Sequence, residues 1–363
     1  MTTSHSPTIS ITVTLDANPG TPLGFGTPTY LVDKATNSLD GDTFIEYSGA
    51  SALADATADQ VAGFISAATL AAATTAFAQP RKVTAFRVAN VDIAAAQTYS
   101  QALAALTALG LPIWLVLMDS RTAALQVALS ATIEGLPYFL ILQSSDADWL
   151  TTGIPAAYST IEDNERTAVI FHDNAAIWAD VGWGCNRAAF NPDLPSQGSV
   201  QWEAPLSGVT AYTTALTATQ TVFAKGNNCA VLGTMGPSTS FVDPGVNLAG
   251  RGIYEVLTAD WFGVRLREAM EALVVQQAGR GRKIILSPTG QAMVLAVAQQ
   301  VVDVATSARH LVEGQVLLDT PPLTAADLDA RRITLTGEGQ IAGSARLFVF
   351  DLYFTRDQVV VPT

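Results

Sequence analysis

Cysteine, histidine and lysine are scarce in this chain, with 2, 3 and 4 copies among 363 residues. Two cysteines, Cys185 and Cys229, cannot build a disulfide framework, so the chain reads as a protein of a reducing compartment with two buried thiols. His5, His172 and His310 lie far apart and form no Cys/His pair at ligand spacing, which leaves nothing to build a transition-metal site. Charge is also sparse, at 14% of residues against about 25% in typical soluble proteins. The surface is therefore expected to be neutral and polar. Nineteen basic residues stand against thirty-two acidic ones, a net charge of -13. Such a chain repels phosphate backbones and anionic lipid, so direct nucleic-acid binding is not expected. Long apolar runs are missing as well. The densest, Leu111 to Met118 and Pro137 to Leu142, are far short of the roughly 20 residues that cross a bilayer. Met1 to Thr8 lacks the basic flank and apolar stretch of an export signal, and neither export nor membrane insertion is expected.

Catalytic signatures are thin. No Gly-x-Ser-x-Gly elbow and no Gly-x-x-x-x-Gly-Lys loop is present, and the Gly24, Phe25, Gly26 pair lacks the third glycine of a dinucleotide fingerprint. His172 and Asp173 are neighbours, but successive side chains at a strand end point apart, so a structural histidine in a polar turn is preferred. Glu162, Asp163 and Glu165 sit in a segment that reads as a solvated loop rather than a catalytic carboxylate pair. Gly279 to Lys283 (Gly-Arg-Gly-Arg-Lys) could cradle an anion, which keeps an α/β enzyme with an anion site there as an alternative. Arg265, Arg267, Arg280, Arg282 and Lys283 also form a local group of cations in an acidic chain. Two readings stand for them: complementing the dipole of a helix C-terminus, or docking to an acidic protein partner.

What the chain does have is apolar material, 49% of residues, enough for two or three domains to bury cores. Thr8 to Leu15 alternates as a strand, with Ile9, Ile11, Val13 and Leu15 on one face. A run rich in glycine and proline, Asn18 to Pro28, joins it to the body. Strands are expected at 29–32, 43–47, 82–89, 112–118 and 138–143, and helices at 55–77, 94–109 and 120–133. This alternation signals an α/β layer. From Thr167 a second region is expected: a strand to Phe171, helices over 173–190, 217–225, 259–277, 291–306 and 325–331, and strands at 229–232, 284–286 and 333–336. Glycine, proline, asparagine and serine at 233–252 fit a hairpin or extended loops. In the last strand, 345–354, both faces are apolar, Leu347, Val349 and Tyr353 on one and Phe348 and Phe350 on the other. That pattern requires cover on both sides. Each terminal strand can pair within its own chain or complete a neighbour's sheet, and the pattern does not choose between these.

The order of segments resembles the tail sheath proteins of contractile-tailed bacteriophages. The resemblance rests on Phe77-Ala-Gln-Pro-Arg81 leading into a strand, the 175–189 helix, Gly208 to Thr217, Lys225-Gly-Asn-Asn228, the 241–252 hairpin-like region, Asp260-Trp261 opening a long helix, and the closing strands. It covers the chain from about Ile9 onward. The helix after Ser287-Pro-Thr-Gly290 departs from the turn found in related sheaths.

The resemblance implies a mixed α/β fold: a sheath-type core domain, an outer α/β domain and extended β-strand terminal arms. Carried onto this sequence, residues 1–24 form the N-terminal arm, 25–166 the outer domain, 167–343 the core facing the tail tube, and 344–363 the C-terminal arm. It implies a structural, non-enzymatic subunit without cofactors that polymerises as stacked hexameric rings and contracts to drive a tube through the host cell envelope for genome delivery. A phage-derived injection particle, a tailocin, would use the same subunit. The implied partners are further copies of the chain, the tube protein, and baseplate and terminator proteins. The implied location is the virion tail, assembled in the bacterial cytoplasm. Ile9, Ile11, Val13, Leu15, Leu347, Phe348, Val349, Phe350 and Tyr353 would sit in inter-subunit strands, Pro19, Gly20, Pro22 and Gly24 in the hinge, and the five cations against the tube.

Overall fold

The computed structural model describes residues 8–13, 25–190, 206–210, 212–235, 239–285, 287–312, 317–319, 322, 324, 333 and 335–341. Strand β1 (Thr8–Val13) comes first, followed by β2 (Thr29–Asp33), β3 (Phe44–Ser48), helices α1 (Ala52–Val61) and α2 (Ala67–Ala78), and β4 (Ala85–Val91). Then come α3 (Tyr99–Ala108), β5 (Leu115–Met118), α4 (Ala123–Ile133), β6 (Phe139–Ser144), β7 (Thr167–Phe171) and α5 (Ala179–Ala188). After α6 (Ala218–Gly226), β8 (Cys229–Met235) and β9 (Thr239–Asp243) form a hairpin. The chain ends its described part with α7 (Ile253–Gly279), α8 (Pro288–Ser307), β10 (Leu317–Asp319) and β11 (Leu335–Gln340).

Eight strands make one sheet in the order β3-β4-β2-β5-β6-β7-β8-β9. The inner six run parallel, and β3 and β9 close the two edges antiparallel. Both faces are covered, which is why the strands read as unbroken apolar runs. Tyr30, Val88, Leu117, Ile141 and Ile170 point into one core with α1, α2 and α5. Their strand neighbours Leu31, Ala89, Val116, Leu140 and Val169 point into a second core with α3 and α4. Gly184 lets α5 lie close on the sheet: a Cβ there would come within 3.0 Å of Leu117 and 3.1 Å of Leu115. A third core lies between α7 and α8, built from Trp261, Phe262, Leu266 and Met270 against Val294, Ala298, Val301 and Val302. A three-stranded antiparallel sheet, β1-β11-β10, completes this part.

Several expectations need correcting. The helix expected at 55–77 is two helices, because Gly63 turns the chain at φ +81° and Ser66 caps the second by accepting from the Thr69 amide. The helix expected at 94–109 starts at Tyr99 behind a Thr98/Gln101 capping box. The one expected from Asp173 starts at Ala179. The long helix begins six residues earlier than its periodicity suggested, because Ile253 and Leu257 pack into the sheet's core while Trp261 onward packs against α8. Residues 282–285 hold no strand. β7, just past Arg166, pairs with β6 along its whole length, and within α7 the packing passes from the sheet's core to the core shared with α8. Expected elements at 325–331 and 345–354 lie outside the described residues.

Candidate assembly surfaces

β1 lies antiparallel on the edge of β11 of its own chain, with Ile9 opposite Gly339, Ile11 opposite Gly337 and Val13 opposite Leu335. β10 lies on the other side of β11. Among the described residues, this sheet thus pairs a strand near the start of the chain with two from near its end. Leu15, the hinge residues Pro19, Gly20, Pro22 and Gly24, and Leu347, Phe348, Val349, Phe350 and Tyr353 lie outside the described residues.

The five cations fall into two groups. Arg265 is ion-paired to Glu268 and Arg267 to Glu271, one helical turn along α7. Arg280, Arg282 and Lys283 are exposed in the turn beyond the helix, roughly 20 Å away at 1.5 Å per residue. The amide of Arg282 donates to the Gln277 carbonyl (2.8 Å) and that of Gly281 to the Ala278 carbonyl (2.9 Å), with Gly281 at φ +64°. This is a Schellman cap. Its amides satisfy helix carbonyls, so the Gly279–Lys283 segment offers no amide cradle for an anion. The three cations instead face the negative end of the α7 dipole.

The other catalytic candidates are structural. His172 is fully buried; its Nδ1 accepts from the Asn174 amide (3.1 Å), so Nε2–H donates to the Thr210 carbonyl (3.0 Å). Asp173 Oδ2 accepts from the Thr213 amide (2.7 Å). Together they fasten Thr210, Thr213 and Thr214 to the end of β7. Glu165 pairs with Arg251 at 2.9 Å, while Glu162 and Asp163 are exposed. Burial pushes both the Cys185 and the Cys229 thiol well up, so neither is a ready nucleophile.

The strongest polar constellation was not legible in the sequence. Asp260, on α7 where the two cores meet, accepts from the Trp114 indole (2.8 Å) and from both terminal nitrogens of Arg166 (2.8 and 2.9 Å). Trp114 immediately precedes β5, and Arg166 immediately precedes β7. Burial alone would lower the Arg166 pKa, but the hydrogen bonds and charge of Asp260 raise it. Trp114 also stacks on Phe139, with ring centroids 5.6 Å apart. This joint ties the eight-stranded sheet to the beam formed by α7, about 40 Å long at 1.5 Å per residue. Its partners are 94 and 146 residues apart in sequence, and the only local sign was an arginine at a strand start in a chain poor in cations. A second bidentate pair, Arg121 on fully buried Asp180 (2.5 and 2.9 Å), fixes the first turn of α5 to the loop after β5. Beside it, Asp119 accepts from the Tyr99 hydroxyl (2.5 Å) and the Asp33 amide (2.8 Å). Burial raises the Asp119 carboxyl above its ordinary range despite these donors.

An eight-stranded sheet covered on both faces, a long helix pair, and a small sheet gathering strands from near both ends together make the fold of a contractile sheath subunit, as the sequence resemblance implied. No protein-family model and no curated protein matches the sequence. Solved structures do. The chain is similar to a chain of the anti-feeding prophage baseplate, symmetrised 6-fold, at TM-score 0.63 and 13% identity over 95% of this chain and 98% of that one. It is similar to a chain of an extracellular contractile injection system, a sheath complex in the contracted state, at TM-score 0.62 and 12% identity over 95% and 97%. A sheath tail protein from Listeria innocua aligns at TM-score 0.50 and 11% identity, over 68% of this chain and 57% of that one.

Proposed function

We propose that the chain is the structural subunit of a contractile sheath that polymerises as stacked hexameric rings around a tail tube and shortens to drive that tube through a bacterial envelope. One observation carries this reading: near-complete coverage in both directions of sheath-complex chains at identities where only fold is retained. The chemistry agrees, since the buried polar groups act as struts. In this reading the β11 edge, held by β1 within the single chain, is the slot that takes the N-terminal strand of a neighbouring copy. The Gly/Pro-rich linker that begins at Asn18, up to Phe25 where the chain packs on Trp114, then spans the gap between subunits. Arg280, Arg282 and Lys283, on the exposed end of the helix beam, meet the tube. Baseplate and terminator proteins cap the polymer, and neither nucleic acid nor membrane contacts it directly. Negative-stain microscopy of the purified chain tests this: long tubes are expected, and stable monomers at high concentration would refute it.

A genome-free injection particle is the second reading of the same subunit, favoured by the similarity to an extracellular contractile injection system. Particles purified from the native source, with or without packaged DNA, separate it from a phage tail.

A further inference from the structure

Residues 206–210 and 212–216 cross the C-terminal end of β7 from one face of the eight-stranded sheet to the other. Leu206 and Val209 pack into the core that holds α2 and α5, and Tyr212 and Leu216 into the core on the opposite face. Val209 lies directly on α5, where a Cβ on Gly182 would come within 2.9 Å of it. Among the described residues this strap makes no backbone–backbone hydrogen bond. Side chains hold it instead. Gln79, which ends α2, grips Ser207 twice: Nε2–H donates to the Ser207 carbonyl (2.7 Å) and Oε1 accepts from its amide (3.2 Å). His172 and Asp173, which follow β7, hold the Thr210 carbonyl and the Thr213 and Thr214 amides. The assembly reading gives this strap no role.

The remaining latch runs the other way, from the strap to the sheet. The Tyr212 hydroxyl accepts from the Leu232 amide (2.7 Å) and donates to the Phe171 carbonyl (3.3 Å), and its ring lies against His172 with centroids 5.2 Å apart. β7 and β8 pair at two positions, Val169 with Cys229 and Ile170 with Ala230, whereas β6 pairs with β7 at five and β8 with β9 at five. Just past that short seam, the hydroxyl bridges Phe171 and Leu232 where a ladder bond would otherwise join the strands. A side chain of the strap therefore closes the joint between the parallel sheet and the β8–β9 hairpin. A segment without a backbone ladder, held by a few side-chain bonds, belongs to the low-stability end of a fold. Because all its latches act on one short run of chain, losing one loosens the others.

We propose that this strap is a clasp that opens as one unit while the sheet stays folded, and that its opening uncouples Leu232 and the distal half of the hairpin from β7. Hydrogen-exchange mass spectrometry of the full chain under native conditions tests it, read at peptides that report the Ser207, Thr213 and Leu232 amides, with β6 as the reference. The three amides are expected to exchange together, at least about tenfold faster than β6. Tyr212→Phe removes the bridging hydroxyl and keeps the ring. Gln79→Ala, at the other end, removes the grip on Ser207. Each variant is expected to speed exchange by about tenfold at all three amides, the distant ones included, and to leave β6 unchanged. No acceleration, or acceleration confined to Leu232 in the first variant and to Ser207 in the second, would overturn the proposal. So would acceleration of β6 by the same factor as the strap, since the strap would then open only with the whole fold. Where Gln79→Ala does not fold, Ser207 exchange in Tyr212→Phe decides alone: faster supports the clasp, unchanged refutes it.

Discussion

Replacing Asp260 by asparagine removes one charge from the joint and preserves its shape. Breaking a fully buried ion pair from one side costs about 3–5 kcal/mol, because the remaining charge is left uncompensated. Here the Asp260 side chain is 9% exposed and that of Arg166 24%, so solvent screens part of the loss and roughly 2–3 kcal/mol is expected. With its oxygen at the Oδ2 position the substituted carboxamide can keep the bonds from Trp114 and from one Arg166 nitrogen, but it loses the third, where its NH₂ faces the other guanidinium nitrogen. With an unfolding entropy of about 2.1 cal/mol/K per residue, a cooperative transition of the whole chain falls by about 3–4 °C. Scanning calorimetry of the unassembled chain, at fixed concentration so that polymerisation does not shift the midpoint, measures it. Arg166→Met combined with Asp260→Leu removes both charges and is expected to recover most of the loss. A D260N midpoint within about 1 °C of the parent, or a double variant no better than D260N, would refute the assignment of the joint as the tie between sheet and helix beam.

Gly184→Ala forces a methyl against Leu115 and Leu117 and is expected to cost about 1–3 kcal/mol in urea denaturation; an unchanged midpoint would show that α5 is free to lift from the sheet. Asp119 holds its proton more tightly folded than unfolded. The penalty for its ionised form is therefore complete above the folded value and fades as pH falls from there toward the ordinary carboxylate range, so the parent gains stability relative to Asp119→Asn on acidification over that range. A stability difference that stays flat across that range in paired denaturation curves would contradict this.

Much of the fold was legible because burial on two faces leaves a plain trace: the runs around Leu115 and Phe139 are apolar at successive positions, as a doubly covered sheet demands. Segment order carried the resemblance for a similar reason, since packing constrains where strands and helices fall even when side chains drift. Long-range matters were not legible. The periodicity that faces α8 begins near Ala259, whereas the helix begins at Ile253, because its first turns serve the sheet. Parallel pairing of β6 with β7 joins segments on either side of Arg166, and no local pattern announces it. The cations at 265–283 looked like one patch along the sequence, and the helical rise separates them into paired and exposed groups. The glycines and cations of Gly279–Lys283 have the composition of an anion cradle, but the Gly281 and Arg282 amides are bonded to the Ala278 and Gln277 carbonyls.

The exchange of N-terminal strands between copies is the central claim, and one cross-link reads it directly. Ile11 and Gly337 are opposed across β1 and β11, and opposed Cα atoms in an antiparallel pair lie roughly 4.5–5.5 Å apart, inside disulfide range. Ile11→Cys with Gly337→Cys, oxidised in assembled particles and run on a non-reducing denaturing gel, is expected to give a ladder of covalent multimers. A single monomeric band carrying an internal disulfide would show that each strand stays with its own chain, and would contradict the account.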